Sequence, residues 1–228
     1  MKAMVLFSGG VDSTTCLALA VKEHGSENVT ALSIGYGQKH SREIQAAQKL
    51  AEYYNVEWKQ LDLSLIFADS DCSLLTGSDK EIPKETYAQQ LSETDGKPVS
   101  TYVPFRNGLF LASAASMALS LGCELIYYGP HADDAAGSAY PDCSEEFNNA
   151  INSAIYIGSG KQLRIEAPFV TKTKKEIVRL GLELGVPYEL TWSCYEGSEK
   201  PCGICGTCRD RQEAFLANGI NDPLTGAC

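Results

Sequence analysis

The sequence predicts an α/β fold: a doubly wound, mostly parallel sheet with helices on both faces, followed by a cysteine-rich C-terminal loop and helix. Three observations predict it. Short apolar runs rich in β-branched residues alternate with segments of helical periodicity. The first run, Met4-Val5-Leu6-Phe7, passes through Ser8-Gly9-Gly10-Val11-Asp12-Ser13 directly into a helix-like stretch. Four of the nine cysteines fall between residues 194 and 208.

In order, residues 2–7 read as the first strand and 13–24 as the first helix. Val29-Thr30-Ala31-Leu32-Ser33-Ile34 is the second strand. From 41 to 54, Ile44, Ala47, Leu50, Ala51 and Tyr54 recur at helical spacing. Residues 57–63 are a third strand. Residues 64–103 break the rhythm with frequent Ser, Thr, Asp and Gly, and are expected to form a mobile lid over the site. An Ala- and Leu-rich helix over 107–121 follows, suited to close packing on a sheet. Then come a strand over 124–129, a helix over 143–157, a strand over 163–167 and a helix over 173–185. Thr173, with Glu176 three residues on, reads as a capping box for the last.

The 228 residues suffice for one α/β domain with a full core and a small appendage. No apolar run reaches the length of a membrane span, and because the sequence runs straight into a strand no signal peptide is expected. A cytoplasmic protein with no membrane partner is expected. The formal charge of −10 disfavours nucleic acid as a partner and favours small-molecule substrates.

Ser8–Ser13 is an anion-binding turn by chemistry. Gly9 and Gly10 let the backbone approach a ligand, Ser8 and Ser13 add hydroxyls, and the helix start adds its positive dipole end. The expected guest is the phosphate chain of a nucleotide, held by residues 7–17: Phe7, Ser8, Gly9, Gly10, Val11, Asp12, Ser13, Thr14, Thr15, Cys16 and Leu17. No Gly-Lys-Ser/Thr follows the glycines, so this is not the common P-loop. Asp12 suits contact through Mg²⁺ instead. Ser-Gly-Gly-x-Asp-Ser resembles the pyrophosphate-binding loop of the PP-loop ATP pyrophosphatase superfamily, whose members cleave ATP between the α- and β-phosphates. The fold expected is accordingly that of the PP-loop, adenine nucleotide alpha hydrolase-like enzymes.

Cys202, Cys205 and Cys208 are each three residues apart, and Gly203 and Gly206 permit a tight turn between them. Cys194 can supply a fourth ligand. Four thiolates suit a closed, structural Zn²⁺ site, with an iron–sulfur cluster as the rival. Clustered cysteines in a reducing compartment point to metal rather than disulfides.

Further strings converge: Val103-Pro104-Phe105-Arg106-Asn107-Gly108, Gly129-Pro130-His131-Ala132-Asp133-Asp134, Tyr140-Pro141-Asp142-Cys143, Lys172-Thr173-Lys174-Lys175-Glu176-Ile177 and Thr191-Trp192-Ser193-Cys194-Tyr195. With Ser8–Ser13 they resemble the 7-cyano-7-deazaguanine synthase family, from residue 4 to about residue 217. The resemblance implies a carbon–nitrogen ligase of queuosine biosynthesis. Its substrates would be ATP with Mg²⁺, 7-carboxy-7-deazaguanine and ammonia. Residues 1–190 would be the ATP-binding synthase domain and 191–228 a zinc-binding segment packed on it, in a homodimer. The stretch from His131 to Tyr140 is longer than the usual family form by two residues near 136–139. Asp134 is favoured over Asp133 as the acidic position.

The same resemblance implies roles. Asp12 and Ser13 act at the phosphates. Arg106 binds a phosphate or the substrate carboxylate, its fork fitting either. Lys172 or Lys174 neutralises charge at the α-phosphate, while His131 and Asp134 act at a strand's carboxyl end. Asp142 accepts from the guanine-like edge, Asn107 belongs to the same substrate site, and Tyr140 or Phe105 stacks on the heterocycle. Tyr36 and Gln38 lie where adenine would sit. Two other readings keep some of these residues: a PP-loop tRNA thiolase, and a non-catalytic zinc-binding nucleotide module.

Overall fold

The structure is a computed structural model that describes residues 1–85, 89–90 and 97–225. Strands β1 (Ala3–Leu6), β2 (Val29–Gly35), β3 (Glu57–Asp62), β4 (Leu125–Tyr127) and β5 (Arg164–Glu166) form one sheet in the order β3-β2-β1-β4-β5. Every neighbouring pair is parallel. The chain winds outward from β1 to one side, then crosses back to build the other. A crevice opens at the carboxyl ends beside β1, where the winding changes direction.

Alternation along the strands decides the two cores. Ala3, Val5, Phe7, Val29 and Ala31 face Cys16, Leu17 and Ala20 of α1 (Val11–His24) and Ala47 and Leu50 of α2 (Arg42–Tyr54). Met4, Leu32, Ile34 and Ile126 face Leu111, Ala114 and Ala118 of α3 (Arg106–Ser120). Successive strand residues point to opposite faces, and both rows are apolar because helices cover both faces. The edge strand β3 carries Glu57 and Lys59, paired at 2.7 Å, which blunts edge-to-edge association.

Further α-helices are α4 (Ala132–Ala135), α5 (Glu145–Gly158), α6 (Lys174–Glu183) and α7 (Gly206–Leu216). The capping box forms as expected: Thr173 N donates to Glu176 Oε2 at 2.8 Å, and Glu176 N to Thr173 Oγ1 at 3.4 Å. The first helix starts two residues before the expected position, because Gly10 takes the extended N-cap geometry (φ −81°, ψ 175°). That shift puts Asp12 inside the first helical turn. The strand expected over 124–129 is shorter, since Gly129 and Pro130 bend into the crevice wall. The short helix α4 and the kink at Gly137 (φ 61°) were not expected; they occupy the lengthened His131–Tyr140 stretch.

The described part of 64–103 carries a small core of its own. Phe67, Cys72, Leu74, Leu75 and Val103 form a small core with Tyr36, and Leu75 bridges to Gln38. These apolar residues are isolated along the sequence, so no periodicity announces them. Residues 86–88 and 91–96 of the expected lid lie outside the described residues. Among the described residues no helix is long and apolar enough to cross a membrane.

Candidate active site

A cleft of about 260 Å³ opens at the carboxyl ends of β1, β2 and β4, at the small end of ligand sites. Its floor is the turn after β1. No side chain caps α1, so the first-turn N–H groups and the positive dipole end are presented to an anion. Ser13 Oγ lies 3.0 Å from Ser8 Oγ and accepts from Ser8 N at 3.3 Å, so the two hydroxyls stand together at the mouth of the turn.

Of the expected nucleotide residues, Phe7, Ser8, Gly10, Val11, Asp12, Ser13, Tyr36 and Gln38 line the cleft. Gly9, Thr14, Thr15, Cys16 and Leu17 do not. Gly9 adopts φ +82°, and a Cβ there would sit 2.6 Å from Ala47 N and 2.8 Å from Glu43 O. The room Gly9 leaves is filled by the backbone of α2. Thr14 Oγ1 donates to Gly10 O at 2.7 Å, Thr15 Oγ1 meets Tyr188 Oη at 2.7 Å, and Cys16 and Leu17 are core. One helical turn carries these four away from the crevice. Tyr36 N donates to Gln38 Oε1 at 2.9 Å, so this backbone donor is already engaged.

Asp12 is the centre of a charged cluster. Lys174 Nζ donates to Asp12 Oδ2. His131 Nε2 lies 3.8 Å from the same oxygen and 3.2 Å from Asp134 Oδ2. Burial alone would raise the Asp12 carboxyl, but the charges of Lys174 and His131 overcome it and hold the pKa below its usual range. Burial would likewise lower Lys174, yet Asp12 and Asp134 hold it above its ordinary value. Asp133, half-exposed, accepts from Lys174 N at 2.8 Å at the start of α6, with the same oxygen 4.0 Å from His131 Nδ1. Lys172 lies outside the cleft lining; its carbonyl accepts from Ala132 N at 2.9 Å.

At the other end stands Arg106, whose guanidinium carbon is 5.2 Å from the Tyr36 ring centre and 6.0 Å from that of Phe110. No described carboxylate lies within salt-bridge reach of it. Asn107 lines the cleft beside it. Asp142, 4% exposed, accepts from Asn107 N at 2.8 Å and so caps the first turn of α3. Burial raises its carboxyl, opposed by that bond and by Arg106. Asp142 therefore holds the first turn of α3 through Asn107 and does not line the cleft. Tyr140 is buried with Oη 2.6 Å from Thr101 Oγ1. Phe105 is 58% exposed against Phe147 and also stays outside.

The cleft wall includes residues not singled out in the sequence: Glu43, Phe110, Tyr128, Thr207 and Asp210. Glu43 sits in a helical pattern as an ordinary first-turn acid, and nothing local marks it. Asp210 follows the cysteine cluster directly, which is the one signal available for it. Burial raises Asp210 to about 6, with Lys174 opposing.

Cys194, Cys202, Cys205 and Cys208 form the second centre, with all four sulfurs within 4.8 Å of one another. A tetrahedral ion at ~2.3 Å from each sulfur needs them about 3.8 Å apart, so the cage fits a metal. Cys202 N and Cys205 N each donate to a cage sulfur at 3.3 Å. Hydrogen bonds from Cys194 and Cys208 pull the Cys205 thiol far down, and those with Cys194 and Cys205 push Cys208 up. The two centres share a wall: Trp192 N donates to Gly9 O at 2.9 Å, and Thr207 Oγ1 to Ser193 O at 2.7 Å.

Parallel sheet, uncapped helix start and Cys₄ cage together define the class: a PP-loop nucleotide-binding enzyme with an attached four-cysteine cage able to hold a metal. In fold the chain is similar to the U34-tRNA thiolase NcsA from Methanococcus maripaludis with its [4Fe-4S] cluster. The TM-score is 0.53 at 17% identity, covering 96% of this chain and 67% of that one. A family profile described as Queuosine biosynthesis protein QueC matches residues 2–219. The 7-cyano-7-deazaguanine synthase of Archaeoglobus fulgidus is 46% identical over 98% of this chain and 90% of its own length. Those of Caldicellulosiruptor bescii and Pseudoalteromonas atlantica are 45% and 43% identical, over 98% of this chain and 96% and 97% of theirs. The chain belongs to the QueC family of queuosine biosynthesis.

Proposed function

We propose that the chain is a carbon–nitrogen ligase that turns 7-carboxy-7-deazaguanine, ammonia and ATP into 7-cyano-7-deazaguanine. The observation that carries the reading is one cleft with an anion site at each end: the open start of α1, and Arg106 against Tyr36 with no carboxylate within 4.0 Å among the described residues. The first suits a polyphosphate and the second a carboxylate. Asp12 and Lys174 stand beside the helix start, and Lys174 would meet charge building on the α-phosphate.

The chemistry needs activation twice. A carboxylate oxygen attacks the α-phosphorus, pyrophosphate leaves, and ammonia displaces AMP from the mixed anhydride to give the amide. The amide oxygen then attacks a second ATP, again releasing pyrophosphate. Loss of AMP and protons leaves the nitrile. Asp12 Oδ1, buried without a hydrogen-bond partner among the described residues, supports Mg²⁺ accompanying ATP there. Such an ion supplies charge neutralisation on the phosphates. Incubation with the acid, ammonium and Mg-ATP is expected to give nitrile with two AMP and two pyrophosphate each. Formation of ADP and phosphate alone would defeat the scheme.

Zinc in the Cys₄ cage, a homodimer and a cytoplasmic location belong to the same proposal. The closed, mostly buried cage supports a structural ion that pins α7 against the cleft. Metal analysis of protein purified without air is expected to show one zinc per chain. Stoichiometric iron with a brown colour would replace zinc by a cluster. Cys205→Ser is expected to lose the metal and to unfold at lower temperature than the parent, measured by metal content and circular dichroism.

A further inference from the structure

Forming the amide leaves a proton to place. When ammonia attacks the activated carboxyl carbon, the new carbon–nitrogen bond puts positive charge on nitrogen. The carbon–oxygen bond to AMP breaks, and the nitrogen must release one proton to become a neutral amide. The acceptor has to stand at the end of the cleft where the carboxyl group is held.

Among the described residues, Asp12, Glu43, Asp134 and Asp210 are the carboxylates that line the cleft. Asp12 is bound to Lys174, and Asp134 lies 3.2 Å from His131. Asp210 is grouped with Lys174, Asp134 and His131 at that same phosphate end. Glu43 stands apart from them. Its backbone presses on Gly9, 2.8 Å from where a Cβ would be, so it is anchored at the rim of the loop. Its charged neighbour is Arg106 of α3, and it also acts on Tyr36 at the end of β2. Arg42, beside it on α2, turns to the Trp192 ring at 5.9 Å. Tyr195 faces Arg106 from the cysteine-bearing segment. Among the described residues the Glu43 carboxylate makes no ion pair within 4.0 Å.

We infer that Glu43 is the catalytic base of the ammonia step, taking the proton from the attacking nitrogen beside the carboxyl group held by Arg106. The inference rests on the reading of the cleft as the site of nitrile synthesis. Burial raises the Glu43 carboxyl to about 7, with Arg106 pulling the other way. A base with that value is ionised for a large share of the time near neutral pH and still binds a proton well, which is the compromise general-base catalysis favours.

The test separates the two half-steps. Acid-dependent ATP–pyrophosphate exchange without ammonia reports adenylation; nitrile formation against ammonium concentration reports the step that follows. Glu43→Gln keeps size and shape but removes the base. It is expected to retain exchange within about twofold and to lose about 10²–10⁴-fold in kcat/KM for ammonia. The wild-type profile, corrected for the fraction of free ammonia, is expected to rise through about pH 7. That limb disappears in Glu43→Gln and returns in Glu43→Asp. Wild-type ammonia kinetics in Glu43→Gln, with exchange intact, overturn the inference and leave the nitrile reading standing. Loss of exchange together with the ammonia step also overturns it, because Glu43 would then serve binding of ATP or acid. A wild-type chain inactive in exchange defeats the nitrile reading and the inference with it.

Discussion

Lys174→Met is expected to lower pyrophosphate release with the deazaguanine acid by about 10²–10³-fold, as for loss of one preorganised charge at a reacting oxyanion. The lysine is the first residue of α6, and the Thr173–Glu176 box sets its backbone while Asp133 accepts its N–H. Its ammonium is then held on Asp12 with Asp134 nearby, so it stays charged despite burial. Arginine is not equivalent, because a planar fork cannot occupy the point that a compact ammonium fills between two carboxylates. A pyrophosphate assay on folded variants checks the expectation. Activity within tenfold of the parent would reduce Lys174 to a counter-ion for Asp12. The pair also has an acid signature. Asp12 has a depressed folded value, so its contribution to stability is present above its ordinary value of 3.8 and is lost as pH falls below that. Lys174→Met is expected to weaken this acid dependence.

Arg211→Ala is expected to cost about 3–5 kcal/mol of stability, the range for stranding a buried charge. Arg211 and Asp222 are 3% and 2% exposed in their side chains and meet in a two-bond fork, Nε to Oδ2 at 2.7 Å and Nη2 to Oδ1 at 2.9 Å. The same guanidinium donates to Thr191 Oγ1 at 2.6 Å and to Tyr188 O at 2.9 Å. It thus ties α7 and the chain beyond it to the turn that precedes Trp192. Because Trp192 N donates to Gly9 O, loosening that turn reaches the glycine turn after β1. Asp222→Ala should cost a similar amount, while a paired apolar replacement of both should recover much of the loss. Urea unfolding of the three variants tests this; a cost below about 1 kcal/mol for Arg211→Ala would show that the charge finds water instead.

Much of this architecture is written in short stretches of sequence. Met4–Phe7 followed by two glycines and a helix start, the Thr173–Glu176 box and three cysteines at spacing three are local patterns, and each appears where the sequence places it. The strand and helix positions shifted by only a residue or two, as at Gly10, where a cap geometry moved the start of α1. The segment 64–103 was opaque for the opposite reason. Its apolar residues gain meaning only by meeting Tyr36, just after β2.

The site residues divide along the same line. The sequence on its own settled the kind of sheet, the glycine turn into the first helix and the four-cysteine cage, because hydrogen bonding, dihedral preference and ligand spacing act between residues close in the chain. Packing between distant elements decided the rest. It turned Asp142 toward Asn107 and away from the cleft, gave the space at Gly9 to α2, and brought Glu43 into the company of Arg106. Which way a side chain faces depends on the neighbour that arrives from another part of the fold, and that neighbour exists only once the layers have closed.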